Sequence, residues 1–85
     1  MEGLILHIVS PEGTLVNNVP VSAVFLPGEQ GPFEVLIGHA ALISPLIAGE
    51  IRYVTEAEGE QSLRIRSGFA EIRSNLVSLA VEPAE

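Results

Sequence analysis

Turn-forming residues recur about every 8–12 residues along this chain, and no segment between them shows the apolar period of an amphipathic helix. A fold built from such pieces has to be made of short strands. Residues 4–9 place Leu4, Leu6 and Ile8 on one face and Ile5, His7 and Val9 on the other, and Ser10-Pro11-Glu12-Gly13 ends the run. Strands are expected next at 14–16 and 19–26 around an Asn17-Asn18 turn, then at 33–36 and 50–55. Segment 41–47 reads either as a short strand pair or as a helical turn, with Pro45 against the helix. Gly59 centres a hairpin tip, 61–66 alternates most clearly, Ser67-Gly68 reads as a break, and strands 69–73 and 76–81 flank a Ser74-Asn75 turn. The fold class that follows is all-β, two packed antiparallel sheets in one domain spanning 1–85.

At 85 residues the core is thin, since a chain of this length buries only about 60–65% of its unfolded surface. With 47% hydrophobic and 18% charged residues the chain is not disordered, and some apolar surface is left over for a partner. Ile5, Val9, Leu42 and Ile43 are candidates for such an outer patch. The formal net charge of −7 comes from eleven Glu against four Arg. Arg52, Arg64, Arg66 and Arg73 are scattered among carboxylates, which argues against nucleic acid, whose phosphates need clustered cations.

Cysteine is absent, so no disulfide or thiolate metal site staples the fold, in keeping with a reducing compartment. The apolar runs fall far short of the roughly 20 residues that span a bilayer, and no cationic region precedes the first of them. The chain therefore reads as soluble and untargeted, reaching a membrane only through another protein.

The catalytic inventory is sparse. Without Cys, Asp or Lys, a nucleophile would have to come from Ser, His and Glu, and none of the serines lies in a Gly-x-Ser-x-Gly elbow. His7, His39 and Glu34 would be the material of a metal site, but no helical spacing fixes them on one face. The plainer reading makes His7 a partly buried strand residue and His39 the anchor of a turn. Gly28-Glu29-Gln30-Gly31 precedes no helix and carries no Lys, so it is no phosphate cradle. No cofactor is expected. Protein–protein contact is the functional class that remains. A free-standing ligand- or carbohydrate-binding sandwich is the alternative, weakened by the absence of Trp and the presence of a single Tyr, and a small jelly-roll metalloenzyme is a further one.

Four segments in order, LILHIVSPEG, LPGEQGPFEVLIGHAAL, PLIAGEIRYV and LRIRSGFAEIRSNLVSLAVEPAE, cover nearly the whole chain. Together they resemble the N-terminal domain of the epsilon subunit of F-type ATP synthase. The resemblance implies a flattened β-sandwich of about ten short strands and a non-catalytic part of the rotor's central stalk, coupling proton-driven rotation to ATP synthesis. It implies the gamma subunit and the membrane c-ring as partners, with a peripheral place on the cytoplasmic face of the bacterial plasma membrane. Carried residue by residue, it puts Leu26, Gly28, Glu29, Gln30, Gly31, Pro32 and Phe33 against the c-ring and Ser10, His39, Leu42 and Ser44 near gamma. Three positions depart from the family pattern: Ala41 where Pro is usual, Glu34 where Gly is common, and Ser67 before Gly68 where two glycines are often seen. The C-terminal helical pair of many members has no counterpart before Glu85, so the expectation is the sandwich domain alone.

Overall fold

A computed structural model describes residues 3–84. Among them eight strands form: β1 (Leu4–Ser10), β2 (Gly13–Val21), β3 (Ala23–Leu26), β4 (Phe33–Val35), β5 (Leu42–Leu46), β6 (Gly49–Thr55), β7 (Gly59–Arg73) and β8 (Leu76–Pro83). Hydrogen bonding links them in the order β2-β1-β8-β7-β6-β3-β4, with β5 on the free side of β7. The first half of β7 pairs with β6, whereas its second half lies between β5 and β8. That one strand therefore belongs to both layers of the sandwich. One layer is β2-β1-β8-β7-β5 and the other is β7-β6-β3-β4.

The core lies between the layers. Leu4, Leu6 and Ile8 of β1, Val77, Leu79 and Val81 of β8, and Ala70 and Ile72 of β7 come from the first; Val24, Leu26, Val35, Ile51 and Ile65 come from the second. Each large aliphatic side chain buried this way contributes roughly 2 kcal/mol, and alternation along each strand turns the intervening residues outward.

The all-β sandwich expected from the turn spacing is what forms, with local differences. There are eight strands where the resemblance implied about ten, and the β1–β8 pair is parallel. Asn17-Asn18 is not a turn: β2 runs through it, and the ladder to β1 slips between Leu6 and Ile8, so these two residues stand opposite His7. Asn18, at φ 55°, absorbs the extra residue as a bulge. The ambiguous segment 41–47 becomes strand β5. Pro20 lies on β2, which pairs with β1 alone, and Pro45 on β5, whose side away from β7 meets only the short 27–29 segment, and at both a missing N–H is tolerated. Ser74 and Asn75, at φ 52° and 63°, make the tight hairpin turn expected there.

Ser67-Gly68 is not a break either. The β7–β8 ladder slips between Ile65 and Ser67, and β7 continues past the slip. Gly68 is needed there for proximity, because a Cβ would stand 2.7 Å from the Ala80 carbonyl oxygen and 3.1 Å from a Val81 methyl. Gly68→Ala should cost about 2 kcal/mol, read as a lower urea midpoint, since the nearest atom is backbone and cannot swing away. Phe69→Ala, one residue on and facing outward, should change stability by no more than about 0.5 kcal/mol.

Candidate interaction surfaces

Gly28 to Gly31 form a β-turn closed by the Gly31 N–H on the Gly28 carbonyl at 3.0 Å, with Gly31 at φ 129°, where a side chain is strained. Two further bonds fasten the turn to β5: the Glu29 N–H donates to the Pro45 carbonyl at 3.0 Å and the Ile47 N–H to the Pro27 carbonyl at 2.9 Å. The Phe33 ring lies over Gly28 so closely that a Cβ there would be 2.8 Å from both the ring and the Gly31 carbonyl. Of the residues carried over as c-ring contacts, Leu26 is in the core and Gly28 is buried. Glu29, Gln30 and Pro32 present themselves to solvent, with Gly31 and Phe33 half-buried.

His39 closes a second turn, its N–H donating to the Leu36 carbonyl at 3.1 Å. Its Nδ1 is 2.7 Å from the Ala40 carbonyl, and since a carbonyl only accepts, that nitrogen carries the proton. The ring also packs at a tilt on Phe33, 6.3 Å between centroids, joining the two turns. Leu42 and Ser44 line the groove of about 480 Å³ between β5 and the first turn, beside Gln30 and Phe33. Ser10 stands apart. It ends β1, its hydroxyl donating to the Gly13 carbonyl at 3.1 Å, and three inter-strand spacings, roughly 14 Å, separate β1 from β5.

What joins Ser10's side of the sheet to β5 is an apolar outer face. Register sets Val9, Ala80, Phe69 and Pro45 in one row across β1, β8, β7 and β5, and His7, Ser78, Glu71 and Ile43 in the next. Phe69 is 58% exposed and Ile43 71%. Leu42 and Ser44 have the opposite parity: they pair with the buried Ile72 and Ala70 and sit at the layer's edge, pointing inward. Val9 and Ile43 were legible from alternation as outer candidates. Phe69 was missed, although sharing parity with Glu71 and Arg73 against Ala70 and Ile72 marks it as outward.

The chemical alternatives find little support in this geometry. His7, Ser78 and Glu71 share a row, but the serine stands between the other two and no hydrogen bond joins them among the described residues. Among those residues no group of three His, Cys, Asp or Glu could hold a metal ion. Tyr53, the one tyrosine, packs on the core, and burial first, then Glu58, raises its phenol above the ordinary value. Arg52 pairs with Glu60 at 3.0 Å and lies over the Phe25 ring, and Arg73 is 4.0 Å from Glu71. No helix among the described residues is long and apolar enough to cross a membrane.

Residues 4–85 match the family described as ATP synthase, Delta/Epsilon chain, beta-sandwich domain. The chain belongs to that family. Relatives named ATP synthase epsilon chain include one from Desulfosudis oleivorans, 36% identical over 99% of this chain and 62% of its own length. Another, from Campylobacter concisus, is 39% identical over 99% of this chain and 64% of its own. The chain thus spans somewhat under two thirds of the relatives it matches. The fold also matches a chain of the Euglena gracilis mitochondrial ATP synthase (OSCP/F1/c-ring), with TM-score 0.87, 22% identity, and coverage of 93% of this chain and 50% of that one. A chain of the Tetrahymena thermophila mitochondrial ATP synthase central stalk and c-ring gives TM-score 0.78 at 12% identity, covering 95% and 64%. At these identities the structural likeness bears on the fold.

Seen within the ATP synthase delta/epsilon family, the three departures acquire physical readings. Gly68 stands where no Cβ fits, while Ser67 before it is exposed and leaves room for a side chain. Glu34 projects into solvent from β4, opposite Phe25. Ala41 gives up the stiffness of a proline, but Asn75 reaches over from the β7–β8 hairpin, its Oδ1 accepting the Gly38 N–H at 2.8 Å. Asn75→Gly keeps the positive φ and deletes that bond. Its expected result is hydrogen exchange at the Gly38 amide faster by about tenfold, with the core strands unchanged.

Proposed function

We propose that the chain is a non-catalytic central-stalk component of an F-type ATP synthase, linking the gamma subunit to the c-ring and so coupling proton transport to ATP synthesis. It works at the membrane peripherally, on the cytoplasmic face, through its partners. Family membership and relatives named ATP synthase epsilon chain support this over a ligand-binding module. The observation that supports it is that one body carries two distinct surface features, a backbone-fixed turn and an apolar sheet face. The first is the Gly28–Gly31 turn, held by one internal bond and two to β5, which offers Glu29, Gln30 and Pro32 as a preorganised tip for the ring. The second is the outer face of Val9, Phe69, Ala80 and Ile43, with Ser10 at its border, and it offers gamma an apolar landing area.

His39, Leu42 and Ser44 lie where the two regions meet. A load taken up at the tip passes through Phe33 to His39 and through two hydrogen bonds to β5 without crossing a flexible linker. That is the mechanical requirement of a stalk part.

Size-exclusion chromatography with light scattering, using a catalytic head prepared with gamma but without its epsilon chain, tests the gamma contact. Stoichiometric co-elution that requires gamma is expected, and its absence at micromolar concentration would overturn the proposal. Gly31→Val tests the tip. No atom lies within 4 Å of the added Cβ, but φ 129° penalises it, so the expectation is a folded domain, about 1–3 kcal/mol less stable, with weakened ring assembly. Unchanged coupling in the assembled enzyme would sink the tip assignment.

A further inference from the structure

The outer face is not uniformly apolar. Within it runs the row His7, Ser78, Glu71 and Ile43, each side chain about 5 Å from the next across the strands, and Phe69 lies two residues along β7 from Glu71. A segment that covers Phe69 and Ile43 must also cover Glu71. Among the described residues its carboxylate has one cationic neighbour, Arg73, at 4.0 Å, a loose surface contact between two well-exposed side chains. Docking an apolar segment over that carboxylate would strip its water and give nothing in exchange, a heavily unfavourable step. The same row holds other unfinished polar groups. His7 Nδ1 is out of reach of solvent without a hydrogen-bond partner, and the Ser78 hydroxyl makes no bond among the described residues.

We infer that the segment of the partner seated on this face carries a basic side chain, Arg or Lys, that lands on Glu71 with apolar side chains on either side of it, and that Glu71 thereby selects the segment. This rests on reading the face as the gamma contact. The chain's net charge of −7 favours a cationic approach in general, but the selecting charge is the one set among apolar neighbours, where an unpaired carboxylate is penalised most. The Ser78 hydroxyl lines the same row and is placed to take up a further donor of a guanidinium or ammonium group.

The test is the affinity of the 85-residue protein for the gamma-containing head lacking its own epsilon chain, measured at several salt concentrations for wild type, Glu71→Gln, Glu71→Lys and Phe69→Ala. Both side chains point outward, and circular-dichroism melts establish that each of the three variants is folded. Glu71→Gln should weaken binding by about tenfold or more and flatten its salt dependence, Glu71→Lys should abolish it, and Phe69→Ala should weaken it with the salt dependence intact. Phe69→Ala weakening while Glu71→Gln binds like wild type would overturn the basic contact and leave the face as gamma's. Phe69→Ala binding as tightly as wild type, or wild type failing to bind, would overturn the reading of the face, and the basic contact with it.

Discussion

A strand that belongs to two layers has to change its inward parity if the bend adds a residue, and the whole sandwich depends on β7 doing so. Leu63 and Ile65 point inward before the slip between Ile65 and Ser67, and Gly68, Ala70 and Ile72 do so after it. Had the alternation run on unbroken, Glu71 and Arg73 would be driven into the core and Ala70 and Ile72 into water. The bulge removes that conflict, and the close approach of Gly68 to Ala80 lets β8 stay on the ladder immediately beyond it. Pairing with β5, β6 and β8 then makes β7, among the described residues, the strand that both layers share.

The bulge also explains which parts of the fold were legible from the residues. Strand positions came through in β1, β6 and β8 because turn residues bound each run, but β1 is apolar on both faces and only its partners decide that Leu4, Leu6 and Ile8 turn inward. The switch of parity near Ser67 left a mark too, but a switch of parity and a chain reversal look the same along the sequence: small residues between two alternating runs. Asn17-Asn18 posed the same choice and was resolved the same way, as a bulge in a continuing strand. What decides between turn and bulge is the partner strand, which no local pattern specifies. For the surfaces, Gly28 and Gly31 marked a tight turn, yet the burial of Leu26 became visible only from the packed core, and the inward parity of Leu42 and Ser44 only from the register of β5 against β7.

The two proposed contact regions differ in physical kind. The tip is a backbone construction: three main-chain bonds fix the 28–31 turn and Phe33 closes over it, so its shape is retained while Glu29 and Gln30 remain free to meet a partner. The outer face is a side-chain construction on a flat ladder, and its identity is decided by which residues the bulge turns outward. A tip of this sort suits a surface that slides or reorients, since its recognition is one of shape. The face suits a fixed attachment, since apolar area and one well-placed charge give affinity and register together.

This division bears on how an 85-residue sandwich carries load at all. Its core is one layer of aliphatic side chains between the sheets, and stiffness cannot come from thickness. It comes from connections at the periphery: β5 bound to the tip through Pro45 and Pro27, loop 36–39 bound to the β7–β8 hairpin through Asn75, and Phe33 bridging tip and loop through His39. Each connection joins segments distant in sequence, so a force on the tip is met by β5, β7 and β8 together. Those are the strands whose outer rows form the proposed gamma face. The proposed gamma face and the proposed tip thus belong to one set of hydrogen-bonded ladders that meet at β5, and the glycines at 28 and 68 are needed because both places require backbones to approach more closely than any side chain allows.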